Sequence, residues 1–461
     1  MEGGFKCCEP VLEKTRFWFG AISLGCNKNL IDTQYLLGKV FSFSRFKNLY
    51  DIRYFTDPFV DEVEYVFLNT CGFLSTSREE ALANLENLLK KGKKVFLLGC
   101  WLKYFLALQK ENIPEILSHS NVAFLDWSEI EYISILSLIN SFKDFKSSVF
   151  KGEYKFPADT PRAYTNLLYG FEYVKISEGC NNSCSFCIIP KIRWKQRSRP
   201  VEDIIKEIKD LVAAGAYEII LISQDTTRYG IEIYKQPYLF ELLSNLEQLE
   251  GDFVYRILYL YPDILSLRHL EKLKDFKKFI PYFDIPLQHI SSSVLKRMRR
   301  FYDIDFIYKF LDFIDKNWEQ KFVRTNFIVG FPGETEKDFE QLVEFVKKWY
   351  FDNIAVFQYH DEPLSPSFKL SDKVPDSVAA QRVQTLSEIV NKMIEQKNAK
   401  YQNMQIIGSV MDIKWEIIVV RPWLHAPEID PYHHIKFDNV RGILGDSNGE
   451  IKIWSRILYT L

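Results

Sequence analysis

The sequence predicts an α/β protein in three parts: an open α/β domain at the N-terminus, a partial (β/α)6 barrel, and a small C-terminal β-barrel. Three observations predict it. Short apolar runs alternate with longer helical ones from Arg16 to about Asn140. A second series, over residues 165–396, repeats strand then helix six times. Beyond residue 400, short β-type runs broken by Gly and Pro take over.

In the first part, residues 16–140, Phe17–Leu24, Tyr65–Leu68 and Val95–Leu98 read as buried strands, being short, apolar and flanked by Gly or Asn. Ser77–Lys91 reads as an amphipathic helix ending near Gly92. Residues 141–164 are richer in Lys, Asp, Pro and Ser and read as a linker. Six candidate strands follow: Tyr173–Ile176, Glu218–Ile222, Arg256–Leu260, Tyr282–Ile285, Arg324–Val329 and Ile354–Gln358. Helical segments such as Val201–Ala214 and Lys337–Lys348 separate them, which favours a complete or partial barrel over a flat sheet. A last helix, Ser377–Lys400, leads into residues 400–461, where Ile413–Val420 and Ile451–Ile457 are β-type runs.

At 461 residues the chain exceeds one ordinary domain, and 47% hydrophobic against 26% charged residues leaves ample core. The 37 Phe and 25 Tyr sit mostly in apolar runs and read as core filler. A net charge of −2 gives no overall basic field for nucleic acid. Met1–Pro10 is polar, with Cys7 and Cys8, and does not resemble a secretory signal; no apolar run reaches the length of a membrane span. The expected compartment is the cytoplasm. In a reducing setting, clustered thiols among the eight cysteines are metal ligands or catalytic groups sooner than disulfides.

The strongest local signal is Glu178-Gly179-Cys180-Asn181-Asn182-Ser183-Cys184-Ser185-Phe186-Cys187, directly after the first strand of the barrel. Thiols at spacings of four and three wrap one small inorganic centre. A structural zinc site wants a fourth protein ligand, and no matching Cys pair or His lies nearby. A cubane cluster held by three thiolates keeps one iron open. Zinc and three unrelated core cysteines are the alternatives. At this motif, with Phe186 before the last Cys, the sequence resembles the radical S-adenosylmethionine (SAM) superfamily, which implies that Cys180, Cys184 and Cys187 hold a catalytic cluster.

Ser223-Gln224-Asp225 ends the second strand and Gly330-Phe331-Pro332-Gly333-Glu334 follows the fifth, both at the barrel end where ligands bind. By resemblance, Gln224 and Asp225 lie near the methionine end of the cofactor, the Gly330–Glu334 segment lies near its adenine, and Phe186 and Gln288 join them. Glycines there permit close backbone approach to a ring, whereas an ordinary tight turn is the alternative.

A second set is dispersed. Cys26, Cys71 and Cys100 each follow a predicted strand of the first domain, with adjoining Gly or Asn. In an open parallel sheet the carboxyl ends of strands line one crevice, so convergence is the expectation, against three buried structural cysteines. Cys7 and Cys8 lack this context and read as incidental thiols.

With both sets in place the resemblance sharpens to the methylthiotransferases, which carry two [4Fe-4S] clusters and end in a TRAM domain. It implies SAM as radical source and methyl donor, the cluster on Cys26, Cys71 and Cys100 as sulfur carrier, and a flavodoxin- or ferredoxin-type reductant. One branch modifies tRNA adenosine. The RimO-type branch modifies the β-carbon of an aspartate in small-subunit ribosomal protein twelve, free or in the ribosome. Cys26-Asn27-Lys28-Asn29-Leu30-Ile31-Asp32 and Ala426-Pro427-Glu428-Ile429-Asp430 resemble the second branch, whereas Tyr259-Leu260-Tyr261-Pro262 and Asp284–His289 fit both. The tail supports it: Lys414, Arg421, Lys436, Arg441, Lys452 and Arg456 are outnumbered by Asp412, Glu416, Glu428, Asp430, Asp438, Asp446 and Glu450, where an RNA-binding module is usually basic. A non-catalytic zinc or iron-sulfur electron-transfer protein is the alternative of another class.

Lys296-Arg297-Met298-Arg299-Arg300, with Arg193, Lys195, Arg197 and Arg199, reads either as a contact for RNA, carboxylate or phosphate or as solvated surface charge. Trp194 stands where the family usually has Gly, Pro431 where Gly commonly follows the Asp, and Arg421-Pro422 where Gly-Arg is usual. These departures bear on the edge of the cofactor pocket and on the docking surface.

Overall fold

The computed structural model describes residues 14–108, 114–142, 156, 160–348, 350–399, 404–444, 451–453 and 455–460. Cys7, Cys8 and much of the 141–164 segment lie outside the described residues. The chain divides into two compact units, residues 1–163 and 164–461.

The first unit holds a five-stranded parallel sheet. Its spatial order is Tyr50–Tyr54, Thr15–Ser23, Tyr65–Thr70, Lys94–Gly99 and Val122–Phe124. The middle strand is buried at every position, as a parallel strand covered on both faces requires. The order reverses between Thr15–Ser23 and Tyr65–Thr70, and this reversal opens a crevice beyond the strand ends. The helix expected to stop near Gly92 spans Ser75–Lys90. Gly92 takes φ 70°, its N–H reaches Leu89 O, and the Lys93 N–H reaches Leu88 O, a Schellman ending that satisfies the last carbonyls. The two outer strands escape the pattern because one is half-exposed and charged and the other has three residues.

In the second unit, six parallel strands run in chain order. Phe171–Lys175, Glu218–Ile222 and Val254–Ile257 form one ladder, and Tyr282–Asp284, Phe322–Val329 and Asn353–Gln358 another. Backbone bonds from Tyr255 N to Lys278 O and from Leu260 N to Asp284 O join the two, giving the partial barrel. The third strand stops at Ile257, earlier than its apolar run, because Tyr259 turns to φ 61° and gives its N–H to Asp284 Oδ2. Helix Val201–Ala213 buries Val201, Ile204, Ile208 and Leu211, the i, i+3, i+7 and i+10 positions of one face, into the outer core. Each such aliphatic side chain contributes roughly 1.5–3 kcal/mol on burial.

Residues 405–460 form a five-stranded antiparallel sheet in the order 433–436, 417–422, 405–414, 456–460, 440–444, around Val410, Ile418, Val420, Ile457 and Tyr459. Ile413–Val420 is therefore not one strand. Trp415, fully exposed at φ 48°, turns the chain, with no Gly or Asn to mark the place. The last strand is Arg456–Thr460, displaced from the Ile451–Ile457 run. This sheet docks through Arg421–Glu428 onto side chains that alternate with the outer core residues. Tyr173 Oη bonds Pro427 O at 3.0 Å, and Arg256 bonds Trp423 O and Leu424 O. No described helix is long and apolar enough to cross a membrane.

Candidate functional site

Directly after the first barrel strand, Ser177-Glu178 pairs antiparallel with Arg197-Ser198 and closes residues 179–196 into a loop. The loop carries all three cysteines of the first set. Gly179 sits at φ 77°, and a Cβ there would stand 2.4 Å from Lys195 O and 2.7 Å from Arg193 O and Trp194 O. The two arms of the loop thus touch backbone to backbone. Trp194, where Gly is usual, itself takes φ 58° and accepts the Cys180 N–H at 3.1 Å. The departure is accommodated at a conformational cost of about 1–2 kcal/mol, with the fold of the loop kept.

Within the loop the Cys180 sulfur accepts the Asn182 N–H and the Cys187 sulfur accepts the Ile189 N–H, each at 3.4 Å. Burial pushes the Cys180 thiol up to about 12 and the Cys187 thiol higher still, and each is raised further by its neighbour Cys184. One buried and two half-buried thiols on one loop, two of them with a backbone N–H on sulfur, suit a soft metal centre that would draw off their protons. Among the described residues no three Cys, His, Asp or Glu side chains close around a single ion. Three soft sulfur donors on one loop are a donor set that an iron-sulfur cluster, whose ligands sit on different irons, can use.

A buried ionic network fastens this loop. Glu178 accepts Lys175 Nζ at 2.8 Å, Arg193 Nη1 at 2.9 Å and Gln224 Nε2 at 2.7 Å. Burial alone would raise its carboxyl, but Arg193 and Lys175 outweigh it and hold the group at about 2. Asp225 accepts Asn182 Nδ2 at 2.6 Å and also takes Thr227 and Arg228. Gln224 and Asp225 therefore anchor the cysteine loop from the second strand end. Arg193, Arg199 and Arg300 are buried, which corrects the reading of this whole basic group as solvated charge; Lys195, Lys296 and Arg299 are exposed.

Gln288 takes φ 69° and is tied to the fifth strand, its Oε1 accepting Asn326 Nδ2 at 2.8 Å. The Gly330–Glu334 turn closes on itself: Glu334 Oε2 accepts the Gly330 and Phe331 N–H groups while Oε1 pairs with Arg382 at 2.9 Å. Burial pushes the Glu334 carboxyl up to about 7 against the pull of Arg382. The space Gly330 leaves open is filled by Ala379, so its missing side chain serves helix packing in this structure. Phe186 packs with Val294, Met298 and Phe331. Glu178, Lys175 and Arg382 were not singled out from sequence. Glu178 was visible only as the residue flanking the motif.

In the first unit, Cys26 caps the helix after the first strand, Cys71 follows the middle strand and Cys100 opens the helix after the fourth. A Cβ on Gly25 would meet Cys71 Cβ at 2.7 Å, and one on Gly72 would meet the Cys100 carbonyl at 2.6 Å. The fully buried Asn29 gathers the three loops. Its Nδ2 donates to Leu24 O at 2.8 Å and Thr70 O at 3.1 Å, and its Oδ1 faces Cys100 Sγ at 4.0 Å. Asn69 in turn donates to Asn29 O at 2.7 Å. The three cysteine-bearing loops share one crevice, as the strand order demands.

Residues 174–346 match the Radical SAM superfamily. The chain is 36% identical over 414 residues to the ribosomal protein uS12 methylthiotransferase RimO of Aquifex aeolicus, covering 89% of each chain. It is 35% identical over 451 residues to that of Dictyoglomus thermophilum, covering 96% of this chain and 98% of the relative. Its fold is similar to the radical SAM methyltransferase TsrM from Kitasatospora setae, with a TM-score of 0.54 over 77% of each chain at 11% identity. The chain belongs to the RimO-type branch of the radical S-adenosylmethionine methylthiotransferases, enzymes of SAM and iron-sulfur chemistry.

Proposed function

We propose that the chain methylthiolates the β-carbon of an aspartate in ribosomal protein uS12, free or in the ribosome, in the cytoplasm. The observation that carries this reading is that one chain holds both a three-cysteine loop at the barrel's strand ends and, in its first unit, a three-cysteine crevice gathered by Asn29. Cys180, Cys184 and Cys187 would hold one [4Fe-4S] cluster, and Cys26, Cys71 and Cys100 another. Phe186, Gln224, Asp225, Gln288, Gly330 and Glu334 are proposed to line or shape the SAM pocket. The proposed domains are residues 16–140, a linker 141–164, the radical core 165–396 and a TRAM domain 400–461.

When bound, the first cluster and SAM supply one-electron cleavage to a carbon-centred radical, which an unactivated C–H bond requires because it offers no acidic proton. The protein's part is positional. The Glu178 network fixes the loop against the barrel, and Asn182–Asp225 ties its first turn to the second strand end. Cys180 is buried, and Cys184 and Cys187 are half-buried. A flavodoxin- or ferredoxin-type protein is the proposed reductant. Mass spectrometry of uS12 and of tRNA nucleosides from a deletion strain tests the reading: the modification should vanish from uS12 and leave tRNA unchanged. Loss from tRNA alone contradicts it.

A further inference from the structure

Along the barrel strands the inward side chains alternate with those of the outer core, and the inward ones include the cations Lys175 on the first strand, Arg256 on the third and Arg324 on the fifth. Their donors are spent differently. Lys175 is buried against Glu178, and the fully buried Arg256 places Nε on Glu218, Nη1 on Leu424 O and Nη2 on Trp423 O. The Arg324 side chain is 20% exposed, and only its Nη1 is engaged, by Asp284 Oδ1 at 2.9 Å. Its Nε is buried without a hydrogen-bond partner, and its Nη2 bonds no described residue. Asp284 is itself fixed, because its other oxygen takes the Tyr259 N–H at 2.9 Å.

The wall that carries Arg324 is the open one. Tyr173, Arg256 and Tyr282, the inward residues above the docked C-terminal sheet, are sealed. On the fifth and sixth strands, by contrast, Arg324 stands beside Asn353, Asn326 beside Ala355 and Ile328 beside Phe357. Asn326 and Ala355 are half-buried, and Phe357 is 49% exposed. The column of Arg324, Asn326 and Ile328 ends at the cysteine loop, since Ile328 packs with Val294, Met298 and Phe331 in the cluster that also receives Phe186. Asp430, the second carboxylate whose field reaches Arg324, is occupied by Asn353 Nδ2 and the Ala426 N–H.

We propose that Arg324, oriented by Asp284, recognises the substrate's target aspartate by taking its side-chain carboxylate on the Nε–Nη2 edge of the guanidinium. This rests on the proposed function, which supplies the aspartate. An enzyme that works at the β-carbon of that residue distinguishes it from Asn by the charge of the adjoining carboxylate. The Nε–Nη2 edge offers two parallel N–H donors to a planar anion, which an ammonium cannot do. Leaving those donors unpaired out of water is costly, so an incoming acceptor gains there what a solvated surface Arg would not give. Arg324 and Asp284 thus form the specificity element of the barrel interior, and the inner wall of the last two strands receives the segment around the aspartate.

The test uses the reconstituted full-length enzyme as wild type, Arg324→Gln and Arg324→Lys. Purified uS12, uS12 with the target aspartate changed to Asn, and SAM are titrated separately. In Arg324→Gln the dissociation constant for uS12 rises about tenfold or more, Arg324→Lys recovers part of the loss, and the constant for SAM does not move. The Asn form of uS12 binds wild type about as weakly as Arg324→Gln binds unaltered uS12, and combining the two changes adds no further loss, a coupling that a merely structural role would not produce. If Arg324→Gln does not fold, the same cycle is run with Arg324→Lys. Additive losses, an equal rise for SAM, or an unchanged uS12 constant in a folded, cluster-loaded variant overturn the assignment. Failure of the wild type to methylthiolate uS12 contradicts the proposed function instead.

Discussion

Glu218 and Arg421, 203 positions apart, form a buried ion pair at 2.6 Å, and Arg256 takes the other carboxylate oxygen at 2.8 Å. The triad joins the start of a barrel strand to the C-terminal sheet. It also withdraws Arg421 from the surface of that sheet, which leaves its exterior no more basic than the sequence count implies. Replacing Glu218 with Gln leaves two buried guanidiniums short of a counter-charge and should cost about 3–5 kcal/mol. Urea unfolding measures it; a loss below about 1 kcal/mol would show that the triad does not hold the sheet.

Acid should weaken the cysteine loop's ionic lock. The Glu178 carboxyl is held at about 2 against an ordinary 4.5. A depressed carboxyl contributes in full above its unfolded value and loses that contribution as pH falls from there toward the folded value. Stability should therefore drop between about pH 4.5 and 2, and Glu178→Gln should flatten that part of the profile. Equal acid sensitivity in the variant would assign the loss to other carboxylates.

Gly179→Ala forces a Cβ to within 2.4 Å of Lys195 O, at a φ that side chains disfavour. The loop must open to accept it. We expect a folded protein that reconstitutes with roughly half the iron of wild type, the second set being untouched. Full loading would show that the loop adapts.

Asn29→Leu keeps the bulk but removes the donor to Leu24 O and Thr70 O, at about 1–3 kcal/mol for each carbonyl left buried and unpaired. The second cysteine set should lose its iron while reductive SAM cleavage at the first persists. Iron analysis and 5′-deoxyadenosine release, measured on the same sample, separate these outcomes.

The convergence of Cys26, Cys71 and Cys100 on one crevice was legible because the carboxyl ends of parallel strands line it. The layout was legible because buried parallel strands are short and apolar. Gly92 announced its helix end by residue type alone, whereas the equivalent ending of helix Ser292–Arg297, at Arg299, carries a side chain that gives no such signal. Trp415 hid a hairpin turn in the same way. Sequence spacing did not reveal the Glu178 and Glu218 arrangements, since their partners lie up to 203 positions away and only the folded barrel brings them together.

Iron and sulfide counting after anaerobic reconstitution tests the two-cluster assignment most directly, using the full chain and its Cys26→Ala/Cys71→Ala/Cys100→Ala variant. The account predicts about eight irons per wild-type chain and about four in the variant. About four in the wild type, unchanged in the variant, would contradict it.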